Sequence, residues 1–413
     1  MPRPAGVPMT DRVVRAQYLG GLDGLRGVAC LAVLTAHCWG HFAPGTTPSG
    51  AAQLLSQGLV VFFAMSGLLI YLPFVRDIAT GEQRVAVQSY ARRRLARVYP
   101  AYLVIFLITN FALQASYVTN AVDSATAGTD KGSGMLTDPG PLLLNLGLLQ
   151  TFFPHTIQTG INPSWSLTTE LCFYVLLPLL AIPLVRHARG SSRRAFAIAM
   201  APPAFLLVVG LAGRAWAEHL YRGRPELGAF SAEFGANGVA VLSRSILALA
   251  DNFAFGMAVA VVFVWMERGS LATWSRRRVV FAGSLVIAAG GLLGLLVHDS
   301  HPWFMGTFIA LASAALLLLI VEPTARGTDS ALVRVAGFRP LVYVGEISLS
   351  VYLWHYPMIL LASRWNLVGD DSALSMAWSP VLVGAASILL GSMTYRWIER
   401  PAMSGRTARN RRA

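Results

Sequence analysis

Residues 303–321 read WFMGTFIALASAALLLLIV, nineteen positions in a row without a charged side chain. Wound as an α-helix, such a run rises about 28 Å, close to the ~30 Å hydrocarbon thickness of a bilayer. The signal repeats along the chain. Runs of similar character fall at 22–41, 54–75, 97–117, 165–185, 195–213, 246–266, 279–297, 341–363 and 378–397. Over 413 residues, 55% are hydrophobic and 13% charged, and the mean hydropathy is +0.55. A soluble fold of this length cannot hide that much apolar surface. The pattern predicts an all-α, polytopic membrane helix bundle with about ten transmembrane helices.

Charge orients the bundle. The formal net charge of +13 does not point to nucleic acid, because the arginines flank apolar runs and do not line one soluble face. Of the 33 Lys and Arg residues, 26 fall in alternate connections: 1–21, 76–97, 186–194, 268–278, 326–339 and 396–413. Six fall on the other side, and Arg26 lies within the first run. This asymmetry places both termini in the cytoplasm, in a multi-pass protein of the cell inner (plasma) membrane. It holds only if one further apolar stretch, 141–153, is re-entrant or interfacial and does not cross. Residues 1–21 then form a cytoplasmic N-terminal segment and 403–413 a basic cytoplasmic tail suited to anionic lipid. The first run follows Arg12 and Arg15 without a small-residue cleavage site and reads as a retained helix. Cys30, Cys38 and Cys172 all sit in apolar runs, where they form neither a disulfide framework nor a zinc site.

Ionisable residues at membrane depth are costly and mark candidate sites. The first run carries Asp23, Arg26 and His37. Arg26 and His37 are three helical turns apart, about 16 Å along one face. Asp23 and Arg26 also suit a structural ion pair, and a lone His37 suits simple packing. The run from 165 places Ser166, Glu170 and Tyr174 on one stripe, with Trp165 equally suited to an interfacial belt. The run from 341 places Gly345, Ser348, Tyr352 and His355 on another. Counting helical rise puts His37 and His355 about 22 and 21 Å above the inner surface, with Glu170 at a similar level. Arg92, Arg93, Arg94 and Arg97 cluster at the inner mouth of the third run. Topology alone explains such a cluster; phosphate recognition by arginine forks is the sharper alternative. No metal is implied, since the histidines lack a closely spaced second ligand.

These residues sit in six motifs: LDGLRG (22–27) followed by His37, FFAMSGLLI (62–70), RRRLARVYP (92–100), PSWSLTTELCFY (163–174), SLSVYLWHYP (348–357) and WIERP (397–401). In content and order they resemble the acyltransferase 3 family over roughly 20–402, which makes 22–402 the acyltransferase membrane domain. The resemblance implies transfer of an acyl group, usually acetyl from acyl-CoA, to a hydroxyl of a glycan or small-molecule acceptor. It implies no permanently bound cofactor and no nucleic-acid partner. His37 matches the family's catalytic histidine and Arg26 the arginine eleven residues before it. Arg94 and Arg97 match the paired arginines near the cytosol where the donor binds, with Arg93 beside them. Glu170 matches the acidic residue after Trp-Ser, and His355 the later histidine. Leu349 departs from a frequent tyrosine, and Ala64-Met65 from Val-Leu. Some relatives carry a further hydrolase-like domain, which this chain is expected to lack.

On this reading His37 is the general base, with an acyl-histidine intermediate as the mechanistic rival; Glu170 orients or charge-stabilises the imidazole, and Tyr174 or His355 donates toward the developing oxyanion. Arg26, Arg94, Arg97 and Arg93 hold the donor. A proton-coupled membrane transporter, using the same His and Glu as a relay, is the alternative.

Overall fold

The computed structural model describes residues 9–48, 50–188, 191–298 and 300–404. Residues 405–413 of the expected basic tail and the first eight of the N-terminal segment lie outside them. Among the described residues there are ten long helices: α1 (Met9–Phe42), α2 (Gly58–Thr80), α3 (Val87–Leu107), α4 (Trp165–Val185), α5 (Ser192–Arg222), α6 (Ile246–Glu267), α7 (Arg276–Val297), α8 (Pro302–Ala325), α9 (Ser348–Arg364) and α10 (Ala373–Thr394). Among the described residues, eight helices are long and apolar enough to cross a membrane, α2–α8 and α10. The two that carry the histidines, α1 and the 17-residue α9, complete the expected ten. Strand, among the described residues, is confined to a short hairpin of two-residue strands, β1 (Ser116–Tyr117) and β2 (Ser133–Gly134). The chain is thus an all-α, multi-pass membrane bundle. Helix is the form that satisfies every backbone N–H and C=O within one segment where no water can.

Local chemistry sets the helix ends. Ser245, Ser275 and Ser372 cap α6, α7 and α10 by accepting backbone N–H bonds, and Pro302 opens α8 at a position where its missing N–H is not needed. Inside α5, Pro203 cannot donate to the carbonyl of Ala199. Tyr71 of α2 supplies the missing donor, its hydroxyl 2.7 Å from that oxygen.

Several boundaries depart from the sequence reading: α1 begins at Met9, well before 22, and α5 runs on to Arg222, past 213. The ninth run, 341–363, is not one helix but Arg339–Glu346 followed by α9, with a break at Ile347. The first piece is locked to α1, whose Asp23 carbonyl fills the space that a Cβ at Gly345 would need. The third helix begins at Val87, ten residues before the expected 97, so the arginine run is itself helical.

The stretch 141–153 does not cross. It forms a helix of eight residues, Pro139–Leu146, and a short turn, Gln150–Phe152. Its carbonyls take hydrogen bonds from neighbouring helices: Tyr102 to Asn145 at 2.7 Å, Tyr99 to Gly147 at 2.9 Å and Thr168 to Leu148 at 2.7 Å. Irregular backbone at membrane depth is stable when buried in protein in this way.

Lipid removes the hydrophobic drive for helix association, so close packing takes its place. α2 and α6 meet where Gly256 lies against the Ala64 carbonyl, with Phe253 stacked between Phe63 (4.7 Å) and Phe173 (4.3 Å). Gly256→Leu should push these backbones apart and lower stability by about 1–3 kcal/mol; thermal unfolding of the detergent-purified variant measures it. Between α5, α6 and α8, Arg214 bonds Asp251 at 2.9 Å, with side-chain exposures of 5% and 0%. Asn252 accepts a further bond from Arg214 at 3.0 Å, and Thr307 donates to Asp251.

Two buried clusters meet in the middle of the bundle. One large cluster is centred on α2, α3, α4 and α6, with contributions from α5 and α8. A smaller one joins α1, α9 and α10. Leu59 and Phe62 pack against both. At the outer end, Arg364 closes α9 by bonding Asp130 (2.6 Å) and the carbonyls of Leu113 and Gln114, which ties the hairpin loop down. Asp371 accepts the backbone N–H groups of Gly45 and Thr46 at 2.6 and 3.0 Å. Hydrogen bonds from Thr46 and Gly45 hold its carboxyl below the usual carboxylate range. A depressed folded-state pKa means that this tether is present above the ordinary aspartate range and is lost as pH falls through the lowered value. Protease sensitivity of the loop after α1 should therefore rise in strong acid, and Asp371→Asn should raise it at neutral pH.

Candidate functional site

A cavity opens at the seam between the two core clusters. Its walls come from α1, α2, α3, α4 and α9, and its polar side carries Arg26, Arg94, Arg97, Glu170, Tyr174 and Ser166. Leu59, Phe62, Leu69, Val98 and Leu167 supply apolar wall. Helical spacing explains the convergence. Arg94 and Arg97 are one turn apart on α3, and Ser166, Glu170 and Tyr174 occupy successive turns of α4.

Several polar residues in the wall have defined partners. Arg26 bonds Asp23 at 2.6 Å, the pairing that its spacing allowed. Glu170 accepts Ser66 of α2 at 2.9 Å and Tyr174 at 2.7 Å, and so bridges α2 and α4. The Arg94 guanidinium lies 5.7 Å from the Tyr90 ring centre and 5.8 Å from that of Tyr174. Arg93, by contrast, is exposed and is not part of the wall. It faces away because successive helix positions turn by about 100°.

The two histidines meet directly. His37 Nδ1 is 2.8 Å from His355 Nε2, and the ring planes are parallel to within 2°. His355 Nδ1 lies 2.5 Å from the backbone carbonyl of Tyr352. A carbonyl only accepts, so His355 Nδ1 carries the hydrogen in the neutral pair. His355 Nε2 is then an acceptor, and His37 Nδ1 donates to it. That leaves His37 Nε2 with its lone pair.

This geometry changes the partnerships expected from sequence. His355, not Glu170, is the side chain that orients His37. The Nε2 of His355 is engaged with His37, and the hydroxyl of Tyr174 is engaged with Glu170. Neither is free to point at an oxyanion. His355 is 1% exposed and His37 is half-buried. Neither lines the cavity; the ring of Tyr352, which does, is centred 5.5 Å from that of His355.

Several participants were not singled out from sequence. Ser66 is the one hydroxyl in the apolar run 58–70, a signal that could have marked it as the partner of Glu170. Tyr356 edges both histidines, with ring centres 5.5 Å from His37 and 6.0 Å from His355, and Tyr117 of the outer hairpin packs on it at 6.0 Å. One turn outward from His37, His41 Nε2 is 2.8 Å from Ser363 Oγ, which binds α1 to α9 a second time. Trp165 is not an exposed belt residue. It is buried and stacked by Arg244 at 4.5 Å. Among the described residues, no group of three or more His, Cys, Asp or Glu side chains could hold a metal ion.

A family model described as an acyltransferase domain matches residues 19–397. Among curated proteins, the O-acetyltransferase OatA of Staphylococcus aureus is 24% identical over 410 residues, covering 95% of this chain and 58% of its own length. The peptidoglycan O-acetyltransferase OatA of Listeria monocytogenes is 24% identical, covering 93% of this chain and 56% of its own. The acyltransferase MdmB of Streptomyces mycarofaciens is 26% identical, covering 96% and 93%. The chain therefore spans somewhat over half the length of the two OatA proteins and nearly all of MdmB. No solved structure matches it.

Proposed function

The chain belongs to the acyltransferase family whose domain model spans residues 19–397, and from that premise we propose that it is an integral membrane O-acyltransferase with His37 as its general base. The donor is an acyl-CoA, most simply acetyl-CoA, and the acceptor is a hydroxyl of a sugar, a cell-envelope glycan or a secondary metabolite. The setting is the plasma membrane, and residues 22–402 form the catalytic membrane domain. One observation carries the reading: His37, His355 and the Tyr352 carbonyl form a directional hydrogen-bond relay that leaves His37 Nε2 unprotonated.

In this mechanism His37 Nε2 takes the acceptor's hydroxyl proton as the oxygen attacks the thioester carbonyl. Collapse of the tetrahedral intermediate breaks the C–S bond, and the thiolate takes the proton back from His37. His355 is a positioning residue: it fixes the tautomer of His37 and the plane of its ring. Arg26, Arg94 and Arg97 hold the donor, since guanidinium forks match phosphate oxygens and the cavity they line also includes Tyr352, the ring neighbour of His355. Glu170 and Tyr174 shape the wall between the two, with Ser66 as their anchor.

The test is acceptor-dependent CoA release by the purified full chain, supplied with acetyl-CoA and a panel of sugars, glycan fragments and macrolides. A complete absence of release from acyl-CoA donors overturns the reading of the donor. The arginines separate within the same assay. Arg94→Ala and Arg97→Ala should each raise the donor KM by about tenfold or more, the value of one hydrogen bond to a charged group. Arg93→Ala, off the cavity, should change it by less than about twofold.

A further inference from the structure

We propose that Phe62 decides which acyl groups reach His37, as the yielding side of an aromatic constriction whose fixed side is Tyr352. This rests on the acyl-thioester reading above and extends it to the size of the acyl group.

The cavity runs from Arg94 and Arg97 to Phe62, Leu349 and Tyr352, and the histidines are not part of its wall. The Phe62 and Tyr352 rings lie 6.4 Å apart at 51°, and Tyr352 is in turn the ring neighbour of His355. On the proposed route, a thioester held by the arginines passes between Phe62 and Tyr352 to meet His37 Nε2.

The two rings are held differently. The Tyr352 hydroxyl lies 3.0 Å from the Pro163 carbonyl and 3.0 Å from Ser166 Oγ. Its own carbonyl accepts His355. Moving Tyr352 would break all of these bonds, and with them the relay that fixes His37. Phe62 has no polar atom to tie it, is half-buried, and packs against both core clusters at their seam. Only packing resists its displacement. An acyl chain that must slide past it meets a resistance that grows with each methylene. An apolar gap of fixed size discriminates by about 10–200-fold per methylene.

The experiment compares acetyl-, propionyl-, butyryl- and hexanoyl-CoA as donors for the wild type, Phe62→Ala and Phe62→Trp, each variant scored by its butyryl-to-acetyl rate ratio. A ratio within one preparation does not depend on how much of it is folded. Phe62→Ala should raise that ratio about tenfold or more, and Phe62→Trp should lower it. The affinity for CoA itself, set by the arginines at the far end, should stay within about twofold in both variants. Turnover that persists in both variants at the wild-type ratio overturns the constriction and leaves the acyltransferase reading intact. No CoA release by the wild type from any of the four donors overturns that reading and the constriction with it.

Discussion

Replacing His37 by alanine is expected to lower acyl transfer about 10²–10⁴-fold while leaving the donor KM near its wild-type value. That range is the usual contribution of a positioned general base. The split between kcat and KM follows because His37 lies outside the arginine-lined cavity. His355→Ala should also reduce kcat, although His355 is a positioning residue. Without an acceptor at His355 Nε2, the His37 ring can flip or present the N–H that now points at His355. The same logic predicts that His355→Gln recovers part of the loss, since its amide oxygen can accept from His37 Nδ1. A glutamine variant that is no better than alanine would count against the tautomer assignment. In wild type, kcat should fall as pH drops and the His37 imidazole gains a proton, and His355→Ala should alter that profile.

The second large effect concerns stability. Asp251→Ala should cost about 3–5 kcal/mol, the range for removing one partner of a buried ion pair. Arg214 would be left charged at membrane depth, with only the Asn252 side chain and the Trp303 carbonyl as acceptors. A sharp drop in detergent-solubilised yield and in unfolding temperature measures it. The double replacement Arg214→Met with Asp251→Leu should recover most of the loss, because two apolar residues remove both desolvated charges together. If the double variant is as unstable as the single one, the pair contributes more than mutual neutralisation.

Much of the architecture was legible because lipid imposes a simple grammar. An uncharged run of the right length crosses, and arginines mark the inner ends. That reasoning placed α4 and α8 within a few residues and kept 141–153 from crossing. It failed where a helix outlasts its apolar segment. α3 begins ten residues early because Arg92 to Arg97 continue it into the inner boundary, and hydropathy does not register a charged turn of helix. It failed again at Ile347, two residues past Gly345, whose contact with the Asp23 carbonyl of α1 no local pattern announces. In the site, depth counting brought His37 and His355 to one level, but depth carries no azimuth. Glu170 shares that level and faces Ser66 instead. The choice between these partners is made by packing between helices far apart in sequence, which no local pattern encodes.

The relay that orients His37 ends at the Tyr352 carbonyl, an atom that cannot be protonated at any physiological pH. It is a cul-de-sac. A proton that enters at His37 Nε2 has no exit toward bulk water through His355, so it has to leave by the side on which it arrived. For the proposed reaction this closes the proton ledger within a single turnover: the hydrogen lost by the acceptor is the hydrogen that appears on the released thiol. Such a cycle neither acidifies nor alkalinises its surroundings through the enzyme. It also needs no exchange with solvent within the turnover.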